Sequence, residues 1–177
     1  VHFLDPYRYR STFHRTNPNI SEEEFTRDYL NHLEEIIQYE GPETIAAVLI
    51  ETVTGTNGVI VPPAGYLQGL RQICDRYGML LICDEVMSGF GRTGKWFAVD
   101  HWGVKPDLMT MAKGITSGYA PLGAVAMREE IAAAFNERPY PGGLTFNGHP
   151  ISLAAAVANI EVMRSEGLVE RAAQTGE

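Results

Sequence analysis

The chain has 177 residues, of which 45% are hydrophobic and 10% aromatic, and it carries 14 Lys and Arg against 22 Asp and Glu, a formal charge of -8. That is enough apolar material for one packed domain. The acidic balance, without any Lys/Arg cluster, argues against nucleic acid or an anionic membrane as the main partner, and apolar runs such as residues 79–83 are too short to span a bilayer.

Residues 1–19 are rich in Pro, Tyr, Arg and His without periodicity, which predicts an irregular surface segment. Ser21 and Glu24 then form a capping-box pair. The stripe Phe25, Tyr29, Leu33 and Ile36/Ile37 continues the helix until Gly41-Pro42. Residues 45–50 are a continuous, partly β-branched apolar run ending in Glu51, which predicts a strand buried on both faces of a parallel sheet. A Gly/Pro/Thr loop follows, then helical spacing through Leu67, Leu70, Ile73/Cys74 and Tyr77, with Gly78 placed to stop it. Residues 79–84 form the next strand, so the segment reads as a βαβ unit with helices over a parallel sheet.

Residues 107–112 and 122–127 read as two further short strands, and a short helix follows Arg128. Pro150 suits the first turn of an alanine-rich helix over residues 151–165. Cys74 and Cys83 lie in apolar surroundings, which suits buried free thiols in a reducing cytoplasm. The start at Val1 without an initiator methionine and the end within a helical pattern suggest a piece of a longer protein.

Two glycine signatures overlap and both lack their context. Gly89-Phe90-Gly91-Arg92-Thr93-Gly94 fits the dinucleotide pattern G-x-G-x-x-G, yet five residues separate it from the strand and residues 95–98 start a helix poorly. Gly89 to Lys95 nearly fits a phosphate loop, but Trp96 replaces the Ser/Thr that would touch magnesium. A turn-rich surface loop is the better reading. His2, His14, His32, His101 and His149 share no ligand spacing with one another or with the cysteines, so no metal site is expected.

The chemistry concentrates in Asp84 and Lys113. Asp84 ends an apolar strand, and open α/β sheets bind ligands outside the carboxyl ends of their strands. Lys113 ends the next apolar run, so a buried acid and a buried lysine are expected on neighbouring strands, the lysine made nucleophilic by desolvation. Taken singly, Asp84 could be an ordinary cap or ion-pair partner and Lys113 a surface lysine. Together they suit a pyridine-ring cofactor held as a lysine imine, where a carboxylate protonates the ring nitrogen.

The segments Leu81-Ile82-Cys83-Asp84-Glu85-Val86, Gly89-Phe90-Gly91-Arg92-Thr93-Gly94, Lys105-Pro106-Asp107-Leu108, Ala112-Lys113-Gly114 and Thr145-Phe146-Asn147-Gly148-His149-Pro150 together resemble the class III aminotransferases, enzymes of fold type I that depend on pyridoxal 5'-phosphate (PLP). The resemblance implies an α/β three-layer sandwich with a mostly parallel mixed sheet. Residues 1–177 would be an incomplete large, PLP-binding domain, without its N-terminal part and without the C-terminal small domain. Asp84 would bind the pyridine nitrogen, Lys113 would form the internal aldimine and shuttle a proton, and Val86 would pack on one ring face. Thr145 looks like the residue that reaches the cofactor phosphate of a second subunit, and Glu51 resembles the active-site glutamate that can pair with a substrate-binding arginine. Where many members have Glu-Pro-Val, this chain has Glu51-Thr52-Val53.

The implied reaction moves an amino group from an amine or omega-amino acid donor to a 2-oxo acid such as pyruvate or 2-oxoglutarate, in a cytoplasmic homodimer with shared active sites. A PLP-dependent racemase, isomerase or decarboxylase on the same fold is the alternative, and a non-enzymatic phosphate-binding module is a second. The 177 residues alone are expected to be poorly folded and inactive.

Overall fold

The computed structural model describes residues 1–176. The N-terminal segment is less irregular than its composition suggests: a short helix, α1 (Thr12–Thr16), forms because the Ser11 hydroxyl accepts the His14 N–H. Helix α2 (Glu22–Glu40) starts on the predicted capping box, with the Ser21 hydroxyl accepting the Glu24 N–H at 3.1 Å and the Glu24 carboxylate accepting the Ser21 N–H at 3.0 Å. Its buried stripe is Phe25, Thr26, Tyr29, Leu33 and Ile37.

Strand β1 (Ala47–Glu51) leads through a loop to α3 (Tyr66–Tyr77) and back to β2 (Leu80–Asp84). Gly78, at φ +68°, ends α3 in the left-handed conformation that glycine adopts without strain. Strands β3 (Leu108–Met111) and β4 (Ala124–Met127) complete a four-stranded sheet in the order β1-β2-β3-β4. The first three strands are parallel and β4 is antiparallel to β3, so the α/β fold with a mostly parallel mixed sheet is as predicted. The short helix α4 (Glu129–Ala132), then α5 (Pro150–Ser165) and α6 (Leu168–Gly176), follow the sheet.

The core lies between one face of the sheet and the α2/α3 layer. Val48, Ile50, Leu81 and Cys83 point into it and join Phe25, Tyr29, Leu33, Leu67, Leu70, Ile73 and Cys74 in a single cluster. Each large apolar side chain buried there contributes roughly 1.5–3 kcal/mol. The expectation that β1 is buried on both faces fails. Val48 and Ile50 are buried, whereas Leu49 is 61% exposed and Glu51 is exposed, because α2 and α3 cover one face and side chains alternate along a strand. Both cysteines are free and buried, and burial pushes the Cys74 thiol up to about 11 and the Cys83 thiol up to about 12. Among the described residues no helix is long and apolar enough to cross a membrane.

Asp107 fixes the start of β3. Its buried carboxylate accepts the Leu81 N–H at 2.7 Å and pairs with Arg71 at 2.6 Å and Arg128 at 3.0 Å. Burial alone would raise this carboxyl, but the Leu81 N–H and the Arg71 guanidinium outweigh it and hold the carboxyl below its ordinary value of 3.8.

Asp107→Ala leaves the Leu81 N–H and the largely buried Arg71 without their acceptor, so unfolding of the intact protein should show a loss of about 2–4 kcal/mol at neutral pH. Because the folded carboxyl titrates below 3.8, the wild type's advantage should persist above that value and shrink as pH falls through the lower folded one. A difference between the two proteins that does not vary with pH would contradict this assignment.

Candidate active site

Register aligns two rows of side chains across the face of the sheet opposite the core. One row is apolar: Leu49, Ile82, Leu108 and Met127. Two residues further along lies the row Glu51, Asp84, Thr110 and Val125, at the carboxyl ends of the parallel strands. Parallel sheets place their ligands at such ends.

A cavity of about 340 Å³ opens there, lined by Glu51, Thr52, Tyr66 and Asp84 together with the N-terminal residues 1–6. Asp84 is half-buried, and its Oδ1 accepts the Val86 N–H at 2.8 Å. Glu51 Oε2 accepts the Gly55 N–H at 2.8 Å, which turns the loop after β1 back on the strand end. The Thr110 hydroxyl oxygen is buried without a hydrogen-bond partner, whereas that of Thr52 meets the Cys83 thiol of the core. Unpartnered buried hydroxyls are costly and suit a site that a polar ligand completes. The site therefore offers a carboxylate steadied by a backbone N–H and a second carboxylate one strand away, with the Thr110 hydroxyl next to Asp84 in the register.

Sequence reasoning missed the role of Glu85. It is fully buried, and its carboxylate accepts the Ser88 hydroxyl at 2.6 Å, the Ala98 N–H at 3.0 Å and the Val99 N–H at 2.8 Å. The Glu85 N–H continues the ladder by donating to the Thr110 carbonyl at 2.9 Å. Adjacent residues on an extended chain point to opposite faces, so the Asp84-Glu85 pair carried the signal that one acid meets the cavity while the other ties the following loop.

That loop is the glycine-rich segment, and it binds no helix start of its own. At Gly94, φ is +81° and an added Cβ would lie 2.8 Å from the Ala173 Cα of α6. The glycine pattern thus admits close packing of α6, which accounts for it without a phosphate.

The structure corrects the expectation for Lys113. The residue is exposed, not buried, and it opens a 3-10 turn, Lys113–Ile115, beyond the end of β3. Its φ of +44° is rare for a non-glycine residue and costs about 1–3 kcal/mol. Since Thr110 pairs with Asp84, Lys113 follows by three residues, at most roughly 10 Å along the chain. It lines a second cavity, of about 660 Å³, with Phe90, Arg92, Ser117 and Asn159. Val86 is half-buried next to Asp84, while Thr145 is exposed in a turn and lines neither cavity. The structure thus brings Glu51 and Asp84 together in one cavity, ties Val86 to Asp84 through its N–H, and leaves Lys113 and Thr145 outside that cavity.

The model of the family described as aminotransferase class-III matches residues 5–177. The taurine–pyruvate aminotransferase of Bilophila wadsworthia is 44% identical over 151 residues, which is 82% of this chain and 33% of that protein. Among solved structures, an (S)-enantioselective omega-transaminase from Thermomicrobium roseum superposes with a TM-score of 0.89 at 45% identity, covering 96% of this chain and 37% of its own. A taurine:2-oxoglutarate aminotransferase from Bifidobacterium kashiwanohense, in complex with PLP and glutamate, superposes with a TM-score of 0.83 at 48% identity, covering 85% of this chain and 34% of its own. The chain spans about a third of the length of these relatives.

Glu85→Ala removes one acceptor group from three donors inside the protein, so it should destabilise the intact protein by about 3 kcal/mol or more. Thermal unfolding would register this as a drop of roughly 3 °C or more. A melting temperature equal to the wild type's would show that the loop is held by other contacts.

Proposed function

Because the chain belongs to the class III aminotransferases, as the match over residues 5–177 shows, we propose that residues 1–177 are part of the PLP-binding large domain of an aminotransferase. The whole protein moves an amino group from an amine or omega-amino acid donor to a 2-oxo acid such as pyruvate or 2-oxoglutarate. The observation that carries this reading is the row Glu51, Asp84 and Thr110 at the carboxyl ends of the parallel strands, in which the Thr110 hydroxyl has no partner. Those groups fit a polar, ring-bearing cofactor.

When bound, PLP supplies an aldehyde and a pyridine ring that together withdraw electrons from the carbon bearing the amine. The chain's own residues do the rest. One oxygen of Asp84 is engaged by the Val86 N–H, which fixes the carboxylate; the other oxygen would keep the ring nitrogen protonated. Val86 would pack on one face of the ring. Lys113 would hold the aldehyde through its amine, and its Nζ, when free, would carry a proton beside the reacting carbon. Glu51, one strand from Asp84, pairs with a substrate-binding arginine supplied by the rest of the protein.

The exposure of Lys113 and Thr145 is consistent with a site that this third of the protein builds only in part. The protein is read as a cytoplasmic homodimer in which Thr145 donates to the cofactor phosphate of the second subunit. The partner and the remaining two-thirds of the chain then enclose the lysine, and enclosure favours its neutral, nucleophilic form.

Borohydride reduction of the intact protein tests the assignment: the cofactor should be fixed to the peptide carrying Lys113, and Lys113→Ala should abolish both labelling and amine transfer to pyruvate. Asp84→Asn should lower turnover by about 100-fold or more while leaving the protein folded. A label on another peptide would sink the role of Lys113, and stereochemical inversion without amine transfer would replace the transaminase with a racemase.

A further inference from the structure

Resting on the assignment of Lys113 as the cofactor-binding lysine, we propose that Asn159 of α5 is a positioning residue that fastens the lysine's turn in a conformation the turn would not hold alone. Helix α5 buries Ser152, Ala156 and Met163, and the half-buried Asn159 lies on the same stripe, three residues after Ala156 and four before Met163. An amide on the inward face of an alanine-rich helix needs polar partners. Besides a long contact of Nδ2 with the Met163 Sδ at 3.6 Å on its own helix, it has three, all on the segment that begins with Lys113. Asn159 Nδ2 donates to the Gly114 carbonyl at 2.9 Å and to the Ile115 carbonyl at 3.2 Å, while Oδ1 accepts the Ser117 hydroxyl at 2.7 Å. Carbonyl oxygens only accept, so these partners fix which end of the amide faces the turn.

The turn needs such a hold. Lys113 and Ser117 stand at φ +44° and +50°, a region that neither side chain favours. Strained residues persist where their surroundings over-determine them. The turn is also pressed against the glycine-rich segment, since a Cβ on Gly114 would lie 2.8 Å from the Phe90 Cβ. Phe90 and Asn159 thus both hold the turn, and Lys113 and Asn159 line one cavity. The Asn159 amide bonds to the backbone after the lysine and to Ser117, not to Lys113 Nζ, so it acts by setting where the lysine backbone sits.

The test uses the intact holoenzyme and its cofactor-free form with two variants. Asn159→Ala removes all three bonds, and Asn159→Asp keeps the acceptor for Ser117 but loses both donors. In the cofactor-free protein, amide hydrogen exchange over residues 113–117 should rise about tenfold or more in both variants, with little change elsewhere. PLP retention should weaken about tenfold, and the pH midpoint of the bound cofactor's visible absorption band should move by roughly one unit, the equivalent change. Unchanged exchange and an unchanged midpoint would overturn the proposal while leaving Lys113 as the borohydride-labelled residue. Global unfolding of both variants would overturn it too, since positioning requires a local effect. If the wild type carries its borohydride label elsewhere, the role of Lys113 falls, and the role of Asn159 falls with it.

Discussion

Glu85 is sealed from solvent and answers three donors, two of them thirteen and fourteen residues further along the chain. Because its own N–H bonds to Thr110 on β3, one residue ties together the end of β2, the middle of the sheet and the far end of the glycine-rich loop. A carboxylate buried without those donors would be heavily penalised, so loop and strand end must form together. The position of Asp84 follows from this, since the residue before an inward-facing acid on an extended chain must face outward.

The same alternation shapes the whole sheet. The face towards α2 and α3 is a continuous core, whereas the other face carries an apolar row and then a polar one. Leu49 at 61% and Val125 at 55% exposure leave apolar surface beside the acids. Hydrophobic walls around a few fixed polar groups are the usual composition of a small-molecule site. Here the polar groups come from three strands, so their relative placement rests on backbone pairing and not on flexible loops.

Local signals made the fold largely legible. Ser21 with Glu24, the stripe down α2, Gly78 after α3 and Pro150 at the start of α5 each act within a few residues, and each does what its chemistry dictates. That Glu51 and Asp84 end their strands was legible for the same reason, as acids that close apolar runs. What the sequence hides is non-local. Whether β1 is covered on one face or two depends on layers built from elsewhere, so Leu49 reads like Val48 until the layers are in place. Thr110 gains meaning only from its register with Asp84, and Asn159 only from a contact across more than forty residues. The exposure of Lys113 belongs to the same class, because enclosure of a side chain is decided by what packs over it.

Asp107 stands three residues before Thr110 and six before Lys113, at the opposite end of β3 from the cavity. It holds Leu81 twice, its carboxylate accepting the Leu81 N–H and its own N–H donating to the Leu81 carbonyl at 2.8 Å. Sliding β3 by a single residue would break both bonds and exchange Thr110 for a methionine beside Asp84, turning every side chain of the strand to the other face. Asp107 therefore works as the zero mark of a ruler: a charge at one end of the strand sets which residues stand at the other.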